Sequence, residues 1–232
     1  MRNAVVLLVT VAATLALAVP AQAMVIKGTS GQVVFADDFE GGTIDAEPTG
    51  GAPGSWSGAT TWVRDDTNPP FPGPFEGSKY LRHLGGEKYA DFATQTGGPV
   101  HLSVMWYQPS GADFDSVITF RSPSGVNIMA ISNSGATVYE AAHNIPLTPM
   151  IYDAWNKVEL TYVTGSSQGT FRFNDGTPIV YNFTDLTRVS ATVGRAMLRR
   201  IGGPVYYDAV PEPASLALLS LGGLMMLRRR RA

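Results

Sequence analysis

Lys157-Val158-Glu159-Leu160-Thr161-Tyr162 places an apolar side chain at every second position and a polar one between each pair. A period of two matches the pleat of a β-strand, whose successive side chains point to opposite faces, so the stretch reads as a strand with one buried and one wet face. Gly165-Ser166-Ser167-Gln168-Gly169 then supplies turn residues, Thr170-Phe171-Arg172-Phe173 repeats the alternation, Asn174-Asp175-Gly176 turns again, and Ile179 to Phe183 continues. Three strands joined by connections this short form an antiparallel meander.

Outward from the meander the same period recurs. Val100 to Tyr107, Val117 to Arg121 and Val126 to Ile131 read as strands, with Asp113 and Ser124-Gly125 in the connections. Ser78 to Arg82 is a shorter candidate, Val33 to Phe39 opens the body and Val205 to Val210 closes it. Thr184-Asp185 could cap a helix reaching Leu198, but Val189, Thr192 and Val193 suit a strand, and a strand is the reading taken. Gly41 to Gly77 reads as long loops with one short strand near Thr61 to Arg64. About ten short strands without a helical layer predict an all-β protein, an antiparallel β-sandwich of one domain.

The chain ends carry different information. Val210-Pro211-Glu212-Pro213 is stiff and extended, because each proline ring fixes φ and disfavours helix in the residue before it. An apolar run from Ala214 to Leu227 follows, then Arg228-Arg229-Arg230-Arg231. At about 1.5 Å rise per residue that run reaches about 21 Å, short of a bilayer core of about 30 Å. The tail resembles the sorting signal of the PEP-CTERM proteins, with Pro211, Glu212, Pro213 and Arg228 to Arg231 as the matching residues. That resemblance implies export by signal peptidase and exosortase, transient anchoring in the inner membrane through the C-terminal helix, and delivery to the cell envelope or extracellular matrix. At the other end Arg2 precedes the apolar stretch Ala4 to Val19, and Ala21-Gln22-Ala23 is the small-x-small pattern of a signal cleavage site. The organisation is therefore read as signal peptide 1–23, sandwich 24–209 and sorting signal 210–232.

Composition narrows the function. The chain has no cysteine, so neither disulfides nor a thiol nucleophile is available. Of 17 Lys+Arg, Arg2 and the four tail arginines fall outside the body, leaving 12; of 19 Asp+Glu only Glu212 does, leaving 18. A body near minus six repels phosphate, and no nucleic-acid partner is expected.

The order of strands also resembles the concanavalin-like jelly roll. Carrying the resemblance are Phe35-Ala36-Asp37-Asp38-Phe39-Glu40-Gly41, Gly77 to Arg82, Trp155 to Leu160 with its hairpin, and Tyr206-Tyr207-Asp208-Ala209-Val210. A lectin-like body of this kind implies binding of extracellular polysaccharide.

Two clusters are candidates for binding. Asp37, Asp38 and Glu40, joined by Asp208, offer the oxygen ligands that Ca²⁺ requires. Alternation sets Asp37 on the face of Phe35 and Phe39, where a carboxylate needs either a metal or N–H donors. Trp56, Trp62, Asp65, Asp66 and Asn68 combine ring faces with hydrogen-bonding groups, a mixture suited to a glycan. Catalysis finds no constellation: His83, His101 and His143 are isolated, there is no HExxH spacing or G-x-S-x-G elbow, and no Glu-x-Asp-x-Glu run. The expected function is a non-catalytic, glycan-binding envelope or matrix protein. A polysaccharide-active enzyme with a site assembled from separate strands, or a purely structural matrix protein, are the alternatives.

Overall fold

The computed structural model describes residues 24–65, 73–110, 116–200, 202, 204–208 and 210. Two antiparallel sheets face one another. The nine-stranded sheet holds β1 (Met24–Lys27), β2 (Val33–Asp37), β4 (Thr61–Arg64), β5 (Tyr80–His83), β7 (Pro99–Tyr107), β12 (Trp155–Val163), β13 (Gln168–Phe173), β14 (Ile179–Asn182) and β16 (Val205–Asp208). The seven-stranded sheet holds β3 (Ser55–Gly58), β6 (Gly86–Thr96), β8 (Ser116–Arg121), β9 (Asn127–Ser134), β10 (Thr137–Glu140), β11 (Ile145–Pro149) and β15 (Thr192–Arg200). Their orders, β14-β13-β12-β7-β16-β5-β4 and β11-β10-β9-β8-β15-β6-β3, carry the chain repeatedly from one sheet to the other, as in a jelly roll.

The meander β12-β13-β14 stands as the alternation predicts, with Val158, Leu160 and Tyr162 fully buried. They meet Leu102, Val104 and Trp106 of β7 and, from the other sheet, Ile118, Phe120, Ala196 and Leu198 in one core cluster. Each such large apolar side chain contributes about 1.5–3 kcal/mol on leaving water. Strand β7 is the axis of its sheet. One side pairs with β12 from Trp155↔Tyr107 to Val163↔Pro99. The other side is shared end to end: β16 pairs as far as Asp208↔Met105, and β1 takes over at Met24↔Val104.

Several strands escape the sequence reading. In β6 the inward position after Gly86-Glu87 is Lys88, only 1% exposed and paired with Glu47, which interrupts the apolar alternation. Strand β3 is Ser55-Trp56-Ser57-Gly58, inside a segment read as loop; β1, β10 and β11 are equally short or polar. Between Thr184 and Leu198 both readings are partly realised. Asp185 caps a 3₁₀ turn at Leu186–Arg188, accepting from the Thr187 amide, and β15 follows.

Two buried polar side chains tie the frame together. Asp37 is 7% exposed at the end of β2, where one carboxylate oxygen accepts from the Phe39 amide at 2.8 Å and the other from the Trp56 indole N–H at 2.5 Å. Burial raises its pKa, opposed by those donors. A Cβ on Gly50 would lie 2.5 Å from the same carboxylate, so the 39–50 loop closes over Asp37 only with glycine there. His83 is fully buried on β5, with Nε2 3.1 Å from the Leu198 carbonyl of the opposite sheet. Burial first, then the charges of Arg200 and Lys88, lowers its pKa to about 4 despite that carbonyl.

Two outcomes follow for chemical denaturation of the full chain. Asp37→Ala leaves the indole N–H and the Phe39 amide without their acceptor and costs about 1–3 kcal/mol, whereas Asp37→Asn keeps an acceptor oxygen and costs less; equal costs would contradict the hydrogen-bonding role. Because folded His83 binds a proton less readily than an unfolded histidine at 6.5, its stabilising contribution is present above pH 6.5 and lost as pH falls toward about 4. The stability difference between wild type and His83→Gln therefore shrinks across that window; a difference independent of pH refutes the assignment.

Candidate functional site

The two tryptophans of the expected glycan loop part company in the fold. Trp56 turns inward from β3, edge-on to Phe35 at 4.8 Å between ring centroids, and its indole is spent on Asp37. Trp62 lies on β4 beside Val63; since Val63 is fully buried, alternation sends Trp62 to the outer face of the nine-stranded sheet. Asp65 is exposed just past β4, and Asp66 and Asn68 lie outside the described residues. So do Asp113 and Asp115, the cleavage-site residues Ala21 and Ala23, and the tail residues Pro211, Glu212, Pro213 and Arg228 to Arg231.

Around Trp62 the register builds a row that sequence reading did not assign to a site. Trp62 is opposite Arg82, Arg82 opposite Tyr206, Tyr206 opposite Tyr107, and Tyr107 opposite Trp155. Four strand spacings of about 4.8 Å carry this row across about 19 Å of sheet. Its rings are in contact: Tyr107 and Trp155 at 5.5 Å, Tyr107 and Tyr206 at 5.8 Å, and Tyr206 and Tyr80 at 5.6 Å. The three tyrosines are buried, Trp155 is half-buried, and Phe75 stands over Trp155 at 6.2 Å with 43% of its surface exposed. Burial raises the Tyr107 pKa, aided by Asp153 and Tyr206, so its phenol stays protonated. Trp155 was visible as the first residue of a clean strand; its exposure at the edge of the row was not, because that depends on partners about fifty residues away and more in sequence.

The loop bearing Phe75 is held down by carboxylates expected to bind calcium. Asp208 accepts from the amides of Phe75 (2.5 Å) and Glu76 (3.2 Å). Glu40 accepts from the Ser78 amide and hydroxyl and from the Lys79 amide, while the Lys79 ammonium donates to the carbonyls of Glu40 and Gly42. Asp38 accepts from the Glu40 amide, and Asp37 is occupied as described. Among the described residues no three His, Cys, Asp or Glu side chains group as a metal site. Asp37, Asp38, Glu40 and Asp208 act as acceptors that fix the loops beside the row.

Several other carboxylates have partners too. Glu159, outward on β12, lies within 4 Å of Lys157, Arg172 and His101, and Lys157 also reaches Asp175. The nearby cation lowers the Asp175 pKa, chiefly through its hydrogen bond with Lys157, which suits an ion pair and not a general acid. Glu140 and His143 form a pair at 2.5 Å with both side chains fully enclosed, and the imidazole stacks on Phe183 at 4.2 Å. Their Glu-x-x-His spacing in a turn was the available sequence signal. On the outer face of the other sheet Tyr89 is covered by Arg121 and Arg195, which pair with Glu87 and Asp91.

Comparison with known proteins adds a sorting motif at the C-terminus. Residues 209–231 match the PEP-CTERM protein-sorting motif. No curated protein sequence matches the chain. Among solved structures the chain is similar to a sialidase (11% identity, TM-score 0.48, 82% of this chain and 19% of that one). It is also similar to a putative glycosyl hydrolase from Parabacteroides distasonis (12%, TM-score 0.42, 55% and 76%). A third is a Dario rerio galectin-1-L2 (10%, TM-score 0.37, 56% and 100%). At these scores function is read from the geometry of the chain itself. The chain is an exported all-β protein that carries a PEP-CTERM sorting motif at its C-terminus.

Proposed function

We propose that this protein is an exosortase-sorted, non-catalytic component of the cell envelope or extracellular matrix that binds polysaccharide on the outer face of its nine-stranded sheet. In this reading the tail holds the chain transiently in the inner membrane until exosortase removes it, and the sandwich is what remains at work. The observation that carries the binding function is the row Trp62, Arg82, Tyr206, Tyr107, Trp155 with Phe75 over its end. Pyranose rings present apolar C–H faces that stack on indole and phenyl rings, while their hydroxyls need donors and acceptors at the margin. Trp62 and Phe75 with Trp155 supply two ring platforms, one at each end of a buried tyrosine floor. Tyrosines packed edge to face lose little freedom on binding, so the platforms are preorganised.

A binding role also accords with how the acids are used. Glu159, Asp175, Glu87 and Asp91 are each in ion pairs with Lys or Arg, and Glu140 is enclosed. A hydrolase would need a carboxyl pair about 5–9 Å apart, one of them free to carry the leaving-group proton.

The reading is tested by titrating the full chain, in detergent micelles, with neutral oligosaccharides from a glycan panel and assaying the same mixtures for cleavage. Trp155→Ala with Phe75→Ala is expected to weaken binding about tenfold, since stacking on one aromatic platform is worth on the order of 1–2 kcal/mol. Turnover of any panel member, or affinity unchanged by the double substitution, overturns the proposal.

A further inference from the structure

The sheet face carries one electrostatic anomaly. Arg64, Arg121, Arg172, Arg188, Arg195 and Arg199 each lie within 4 Å of a carboxylate: Asp45, Glu87, Glu159, Asp185, Asp91 and again Glu87. Arg82 and Arg200 meet none among the described residues, although the body as a whole is acidic. They are also near one another. Arg82 is opposite Tyr206 on the outer face, and Arg200, at the end of β15, reaches across to the Leu84 carbonyl just past β5. Burial and then the like charge of Arg82 lower the Arg200 pKa. The Nε–H of each guanidinium is buried without an acceptor. A buried donor left unmade is destabilising, more so on a charged group, and two neighbouring cations repel. Buried donors left open on neighbouring cations mark a candidate site for an anion, which would meet both.

Position says which anion. Arg82 is the direct cross-strand partner of Trp62, on the same face, where side-chain Cβ atoms are about 4.5–5.5 Å apart. A pyranose ring stacked on the Trp62 indole therefore holds a substituent of its ring over Arg82. A planar guanidinium accepts a carboxylate in two parallel hydrogen bonds, a match a hydroxyl cannot give. His83 and Lys88 lie on the inner side of the same region, and the Glu47 carboxylate is taken by Lys88.

We infer that Arg82 and Arg200, beside Trp62, form a subsite for the carboxylate of a uronic acid residue, so that the preferred ligand is an acidic polysaccharide. This rests on the polysaccharide-binding reading above and narrows it to a ligand class. Other anionic groups, such as sulfate esters, share the charge but not the two-oxygen planar fit.

The test uses oligogalacturonate and its fully methyl-esterified form, the same sugar with the charge removed, titrated into the full chain in detergent micelles. Wild type is expected to bind the free acid about tenfold more tightly than the ester or better, the worth of one charge-assisted pair. Arg82→Gln and Arg200→Gln should each abolish the preference for the free acid over the ester; Arg200→Gln, which lies outside the row, should leave ester binding at the wild-type level, whereas Arg82→Gln is read only through the ratio of the two affinities. Ester binding also reports that the variants are folded, and Arg82→Lys, which keeps the charge without the fork, should retain part of the preference. If the ester binds and wild type shows no preference, the subsite falls while polysaccharide binding stands. If the preference persists in both glutamine variants, the tail arginines Arg228 to Arg231 account for it and the subsite likewise falls. If neither form binds, both proposals fail.

Discussion

The structure depends on the two flanks of β7. A central strand must have every N–H and C=O paired on both sides, because a buried unpaired backbone group costs about 1–3 kcal/mol. One flank is filled continuously by β12. The other is filled by β16 and β1 placed end to end, so the central strand is complete only when both extremities of the body have docked. That junction also sets the site. Docking β16 brings Asp208 to the Phe75 and Glu76 amides, and docking β1 brings Asp37, paired with Met24, to the edge where Trp56 caps it.

The two outer faces differ in what they leave open. Over the seven-stranded sheet, Tyr89 is sandwiched by two arginines whose charges are met by Glu87 and Asp91, a closed arrangement with its cations satisfied. Over the nine-stranded sheet, buried tyrosines support ring platforms at the two ends of a row, and the arginine between them has no carboxylate among the described residues. Binding energy concentrates where preorganised aromatic surface and unsatisfied polar groups coincide, which favours the second face.

What the sequence disclosed follows from what local patterns encode. Alternation in Val158, Leu160 and Tyr162 located the meander, and the turn residues fixed its connections, since both signals lie within a few residues. Lys88 concealed β6, because its charge is met by Glu47 about forty residues away. The candidate site was half legible. Trp62 was named, but Trp56 was grouped with it although one faces solvent and the other the core, a distinction set by strand register. Asp37, Glu40 and Asp208 were singled out as calcium ligands; the partners the structure gives them include loop amides, which no residue pattern announces. The row itself joins residues 62, 82, 107, 155 and 206, and only pairing across five strands reveals it.

The four tryptophans provide the most direct probe of the central claim that ligand binds on this one face. Indole N–H resonances of the full chain in micelles, followed by nuclear magnetic resonance during titration with oligogalacturonate, separate them by position. Trp62 and Trp155 on the outer face are predicted to shift with a common saturation curve, while Trp106, enclosed in the core, and Trp56, half-buried against it with its indole held by Asp37, remain in place. Shifts confined to residues around Tyr89 on the opposite sheet, with Trp62 and Trp155 unmoved, would contradict the account.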